Sequence, residues 1–316
     1  MRKISTNFMN DLTDEDGRLF PVLEKIKNDH TLLLAIREDY INIYYRGGNI
    51  LRLREHYNNS YQAEFDENYG RFGQAAPILP PIISNREEAD IWADNIPNLK
   101  VTMDEYFVVN KKSEREYQQL VTQENNLSSI SNESEYFITD IEYSPPGSWM
   151  RLDMLAIQWP ASKRKSIKHC RPAIIELKYG VSSVKSEKSG FVKHLKDIEA
   201  LIKDKDSYNE LIHSMENQFD QLNQLDLIKF NKSKNYKAMK ISFLKPEVIL
   251  ILANYNPRSK QLKKVLNDSE FQAYSKSPIF DLKFFIASFL GYGLHSQCMF
   301  SLEEFLRIIA HFNNYQ

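Results

Sequence analysis

Apolar and polar residues alternate with two periods along this chain, and the periods sketch its elements. Residues 18–29 (RLFPVLEKIKND) predict a short amphipathic helix, and TLLLAIRED a strand. YINIYYRGGNILRLRE predicts two strands folded back around Gly47-Gly48, the clearest turn signal in the front third. NSYQAEFDENY continues as a further strand, and APILPPIIS is a proline-bounded connector. Residues 85–96 and 102–109 predict helices. The front of the chain reads as an antiparallel meander with short helices.

From Ser113 the pattern changes. SEREYQQLVTQEN predicts a helix with Ser113 as N-cap, Glu116 at capping-box spacing, and Tyr117, Leu120 and Val121 facing inward. EYFITDIEY, MRLDMLAIQWP and PAIIELKYG follow as three strands. Residues 190–203 and 207–230 predict helices, and PEVILILANYN a strand buried on both faces. Residues 258–267 predict a helix, FDLKFFIASFL an edge strand and SLEEFLRIIAHF a closing helix. This order gives an α/β class with a mixed sheet covered by helices. The expected division is an N-terminal β-meander region at 1–105 and a second domain at 106–316.

Composition narrows the picture. The chain has 316 residues, 42% hydrophobic and 26% charged, which suits a soluble globular protein with a sizeable core. The two cysteines, Cys170 and Cys298, are far apart, which argues against a disulfide framework or a cysteine zinc site and points to a reducing compartment. The N-terminus lacks the apolar core of a signal peptide, and no apolar run approaches membrane-spanning length, so a cytoplasmic protein is expected. Histidines form no HxxxH or HxH pair, and no GxSxG, GxxxxGK[ST] or GxGxxG motif occurs. Net charge is −1, yet residues 1–110 carry 12 Lys/Arg against 18 Asp/Glu, while residues 161–264 carry 22 against 11. The middle of the chain therefore suits a polyanion, and the acidic front suits a partner protein or a homodimer contact.

The unusual chemistry lies in residues 151–180. Asp153 sits in one apolar strand, and Glu176 and Lys178 share one face of the next. An unpaired carboxylate among Ile and Leu costs several kcal/mol, and a hard cation with oxygen ligands removes that cost. The carbonyl of Leu177, between Glu176 and Lys178, would add a third oxygen. Asp140 and Glu142 alternate on the preceding strand, as solvent-facing acids, lysine partners or a further ligand.

Asp153, 22 intervening residues, then Glu-x-Lys, in strands of an α-β-β-β-α-β order, resembles the PD-(D/E)XK nuclease superfamily over roughly Ser113 to Asn256. The resemblance implies a restriction-endonuclease-like core and Mg²⁺- or Mn²⁺-dependent hydrolysis of phosphodiester bonds, with DNA the favoured substrate. Asp153 and Glu176 would be metal ligands and Lys178 the catalytic lysine. The superfamily often adds a carboxylate from the preceding helix; Glu116 is favoured, with Glu114 and Glu124 as alternatives. The residue before Asp153 is Leu152, not the proline of the name, and the helix after the lysine strand carries Lys193 and His194 where RecB-type members carry Gln and Tyr. Lys163, Arg164, Lys165, Lys193 and His194 are the expected phosphate contacts, with Lys168 and Arg171 beside them in the basic loop. The other reading is a nuclease fold without activity, serving as a nucleic-acid or protein interaction module.

Overall fold

The computed structural model describes residues 1–73, 75–128, 131–145, 147, 150–180, 190–231, 236–254, 256, 259–287, 296 and 299–313. Cys298 and the last residues of FDLKFFIASFL lie outside this set. The described chain is mixed α/β with two five-stranded sheets. It divides into two compact units: Met1–Gln123 with Asn217–Lys229, and Glu124–Glu216 with Phe230–Gln316. Among the described residues no helix is long and apolar enough to cross a membrane.

The first unit is built on an antiparallel meander of β1 (Leu32–Ile36), β2 (Tyr40–Tyr45), β3 (Gly48–His56), β4 (Ser60–Glu64) and the short β5 (Ile82–Ile83). The β2–β3 turn is one residue earlier than the sequence predicts. Arg46 and Gly47 both have positive φ, 49° and 71°, the two-residue turn whose twist matches a hairpin. Gly48 is already paired with Tyr45. A Cβ on Gly47 would lie 2.4 Å from the Cβ of Arg115, so backbone conformation and close approach both demand glycine there.

α1 (Thr6–Thr13) and α2 (Phe20–Lys27) precede this sheet. The two helices expected at 85–96 and 102–109 are one, α3 (Arg86–Val109), opened by a capping box between Asn85 and Glu88. Pro97 lies inside it. Proline costs a helix interior about 3 kcal/mol. The buried stripe Ala89, Trp92, Ile96, Leu99, Met103 and Phe107 runs straight through, and burying several such side chains at about 2 kcal/mol each outweighs that cost.

α4 (Ser113–Asn126) takes Ser113 as its first residue rather than as its cap. Its inward face departs from expectation. Val121 is buried, but Leu120 is 43% exposed, and the other buried positions are Gln118, Gln119, Thr122, Asn125 and Asn126. Two of its amides face backbone, not apolar core. Gln119 donates to the carbonyl of Thr31 (2.7 Å) and accepts from the Gly47 N–H (2.9 Å), and Gln123 donates to the carbonyl of His30 (2.5 Å). Gln218 donates to the carbonyl of Ile36 (2.9 Å). Gln218 thus satisfies a carbonyl of β1, an edge strand, while Gln119 and Gln123 satisfy the carbonyls of the two residues just before it.

The second unit holds a mixed sheet ordered β10-β9-β8-β7-β6, from β6 (Tyr136–Tyr143), β7 (Leu152–Gln158), β8 (Arg171–Tyr179), β9 (Glu247–Ala253) and β10 (Asp281–Ala287). β6, β7 and β8 are antiparallel neighbours; β9 runs parallel to β8, and β10 parallel to β9. A parallel pair needs a long crossover, supplied between β8 and β9 by α5 (Phe191–Lys203) and α6 (Lys205–Gln224). Beyond β9 come α7 (Lys260–Leu266), α8 (Ser269–Ala273) and, after β10, α9 (Leu302–Asn313). β9 is buried along its whole length, as its unbroken apolar run predicts. On the β6 edge, the Asn126 side chain exchanges two hydrogen bonds with the backbone of Ile138, 2.7 and 2.9 Å, as a neighbouring strand would.

One end of this sheet is fastened by charge. Arg171 at the start of β8 reaches Glu247 (3.4 Å) and Asp281 (2.7 Å) at the starts of β9 and β10, and Lys245 also holds Asp281 (2.7 Å). Burial alone would raise the pKa of Asp281, but hydrogen bonds and charge from Lys245 and Arg171 hold it below the ordinary carboxylate value.

Gly47→Ala should destabilise the protein by about 3 kcal/mol, read as a lower urea midpoint, because it adds both an unfavourable φ and a clash with α4. Asp281→Asn should lower the thermal midpoint at pH 7. A depressed folded pKa contributes stability above the unfolded value of about 3.9 and loses it as pH falls through the folded value. The difference between Asp281→Asn and wild type should therefore shrink in melts taken below about pH 4.

Candidate functional site

The register of β7 and β8 brings the acids together. Met154 pairs with Ile175, the last pair recorded between these strands in that direction, so Asp153 and Glu176 come next across the gap. There the ladder gives way to a side chain: the Leu177 N–H donates to Asp153 Oδ2 at 2.8 Å. The N–H and C=O of one extended residue point to the same lateral side, so the Leu177 carbonyl also faces this gap.

The groups are deeply buried: Asp153 is 6% exposed, Glu176 1% and Lys178 3%. Bare charges at such positions cost several kcal/mol each. Glu176 Oε1 meets Lys178 Nζ directly, and the Nε2 of His194 stands 3.0 Å from the same oxygen. His194 Nε2 is also 3.4 Å from Lys178 Nζ. His194 sits in the first turns of α5, its N–H bonded to the Gly190 carbonyl, so the helix that follows the lysine strand delivers it onto the acid–base pair. An exposed helix histidine is the commoner case; here the ring is turned inward.

Other expected residues have partners of their own or belong to the other unit. Glu116 belongs to the first unit and accepts from Arg46 Nε at 2.8 Å, while Arg46 also holds Asp104 at 2.7 Å. Glu114 belongs to that unit too, and only Glu124 of the three shares a unit with Asp153 and Glu176. Lys193 turns to an exposed ion pair with Asp197 on its own helix.

The basic loop between β7 and β8 is not beside the acids. β7 runs from Asp153 to Gln158 before the loop begins, and five residues of strand span about 17 Å. Lys163 and Lys165 are exposed at that far end. Arg164 is buried, donating to the carbonyls of Asn132 (2.6 Å), Ser134 and Trp159 (3.3 Å) with its guanidinium 4.6 Å from the Phe137 ring centre. Burial pushes its pKa down to about 10. It braces the loop from within.

Asp140 is the residue whose placement sequence reasoning missed. A register shift between Ile138 and Asp140 sets Thr139 outside the pairing, and Asp140 pairs with Leu155. The bulge changes the alternation and turns Asp140 to the face of Leu155, Asp153 and Glu176. It is buried, with Oδ1 accepting the Ile141 N–H at 2.8 Å, while Glu142 pairs with Arg151 rather than a lysine.

Among the described residues no group of three or more His, Cys, Asp or Glu is arranged to hold a metal ion. The donor set at the gap is instead two carboxylates and a backbone carbonyl, all hard oxygens. That fits the sparse protein ligation of Mg²⁺, which leaves remaining positions to water and phosphate. No protein-family model, curated protein or solved structure matches the chain.

Lys178→Met should cost about 3 kcal/mol by leaving Glu176 charged in a dry site, and Glu176→Gln a similar amount. The double variant Glu176→Gln/Lys178→Met should be more stable than the sum of the two losses predicts, because neither charge is then abandoned. Chemical denaturation of the four proteins measures this; strictly additive losses would contradict the pairing.

Proposed function

We propose that the chain is a metal-dependent nuclease that hydrolyses phosphodiester bonds, with DNA the favoured substrate. The observation that carries this reading is the buried Asp153–Glu176–Lys178 group on neighbouring strands, placed where the β7–β8 ladder ends. The element order α4, β6, β7, β8, α5, β9, with β9 parallel to β8, supports a restriction-endonuclease-like core.

In this reading Asp153, Glu176 and the Leu177 carbonyl would hold Mg²⁺ or Mn²⁺, which when bound supplies Lewis acidity toward a phosphoryl oxygen and lowers the pKa of water. The chain's own residues do the rest. Lys178, as an ammonium, donates hydrogen bonds: it orients the water that attacks phosphorus and offsets charge on the non-bridging oxygens. His194 keeps Glu176 and Lys178 in place from α5. Attack forms one P–O bond and breaks the opposite ester P–O bond, a proton of the attacking water ends on the leaving oxygen, and the products are a phosphate monoester and a hydroxyl. Burial makes each of these charges act more strongly than it would in water.

One observation favours a second reading, a nuclease fold that binds without cleaving. Glu176 Oε1 already carries both Lys178 and His194. A closed ion-pair cluster needs no cation.

Plasmid, single-stranded DNA and RNA incubated with Mn²⁺ should be cut by wild type and not by Lys178→Ala, with circular dichroism showing both folded. In parallel, Mg²⁺ or Mn²⁺ should raise the thermal midpoint of wild type and not of Glu176→Ala. No cleavage by wild type together with no metal-induced shift would favour the binding module.

A further inference from the structure

The geometry points to a second nucleic-acid contact on the same unit, at the end of the sheet opposite the acids: a platform for single-stranded nucleic acid made by the β7–β8 loop and the segment before β9. This inference rests on the nuclease reading for its choice of ligand.

Lys163, Lys165, Lys168 and His169 are all exposed on this loop. The three lysines form no ion pair with a described residue. Beside them lie Phe243, 53% exposed, and Leu244, similarly open. The two segments are tied together. The N–H groups of Ser242 and Phe243 both donate to the Cys170 carbonyl, at 2.9 and 3.1 Å, and Ser242 Oγ donates to the Ile167 carbonyl at 2.8 Å. Neighbouring Lys240 and Lys245 are engaged by Glu216 and Asp281, so the unneutralised charge comes from the loop.

The loop is built to hold its shape. Arg164 clamps three carbonyls beneath it, and Trp159 Nε1 donates to the Ser166 carbonyl at 3.1 Å. Lysines raised on a fixed backbone keep their spacing, and an exposed aromatic ring on the segment bonded to the loop offers a base a stacking surface. Cations that track phosphates, with aromatic faces that take bases, are the components of single-strand binding. A lipid surface would want a broader apolar face than one Phe and one Leu. Strand length puts the platform about 17 Å from Asp153 and Glu176, about five stacked nucleotides of one strand. In the nuclease reading the platform would hold the strand being cut, several nucleotides from the scissile bond.

Fluorescence anisotropy of labelled 20-nucleotide single-stranded DNA and RNA, without divalent metal, tests the platform apart from cleavage. Wild type should bind at least one of them. Lys163→Gln/Lys165→Gln/Lys168→Gln should weaken binding about tenfold and reduce the slope of log affinity against log salt by about 2. Phe243→Ala should weaken the single strand about tenfold and a 20-base-pair duplex little. All the substitutions are on exposed side chains, and matched melting curves check the fold. Wild type that binds neither strand overturns the platform. Variants that bind like wild type do so too, as does a loss confined to vesicles of phosphatidylserine and phosphatidylcholine. If the platform results hold while no preparation cleaves, the nuclease reading fails and the platform stands. If cleavage depends on Lys178 while the platform variants bind normally, the reverse is true.

Discussion

A carboxylate and an ammonium two residues apart on the central strand of a sheet can both stay charged there only if each finds a partner. β8 has strands on both sides and is buried from Pro172 to Lys178, so neither Glu176 nor Lys178 can reach bulk water. Their direct contact, and the approach of His194 from α5, are what make a charged central strand tolerable. Asp153 solves the same problem differently, by taking a backbone N–H that β7 would otherwise have satisfied with a carbonyl. One consequence is local: the β7–β8 ladder stops where its charged residues begin. A gap lined by oxygen atoms thus follows directly from how the charges are accommodated. A buried ion pair of this kind is weak evidence for stability, since apolar side chains of similar volume often serve a sheet as well.

The same accounting of polar groups explains α4. A helix packed on an apolar core carries leucines; a helix packed beside an open strand edge must carry donors and acceptors. Gln119 and Gln123 face the carbonyls of Thr31 and His30, and Asn126 matches both backbone groups of Ile138. The division between the compact units falls within this helix in sequence, between Gln123 and Glu124: Gln119 and Gln123 bond within the first unit, and Asn126 within the second. An amide lost at any of these positions would leave a backbone group without its partner, a larger penalty than losing one apolar contact.

These two constraints also explain what could be read from sequence. Elements whose period follows from burying an apolar face were legible: the runs containing β6, β7, β8 and β9 and the amphipathic α5 stand within a few residues of where periodicity places them. Glu176 and Lys178 were legible as a pair because a strand fixes their common face. Three features were not. Leu120 looked inward because the rule that apolar residues face the core assumes the helix faces a core. Asp140 looked like a partner of Glu142 because alternation holds only until a bulge resets it, and nothing in TDIEY announces the extra residue. The single helix α3 looked like two, 85–96 and 102–109, because the stripe of tertiary contacts that carries it through Pro97 is not visible in sequence.

The basic loop shows the remaining limit, and it is a matter of direction. Lys163 lies ten residues from Asp153 in sequence, which suggests proximity. But Asp153 is at the start of β7 and the loop follows its end, while Glu176 is near the end of β8 and the loop precedes its start. A hairpin places residues equidistant from its turn side by side, and it separates both of them from the turn itself. The longer the two strands, the farther the acids move from the connecting loop, however short the stretch of chain between them. Charge that follows a strand therefore cannot be assigned to a site at that strand's beginning. It belongs to the opposite end of the sheet, where Arg171, Glu247 and Asp281 already hold three strands in register and give the loop a fixed base to stand on.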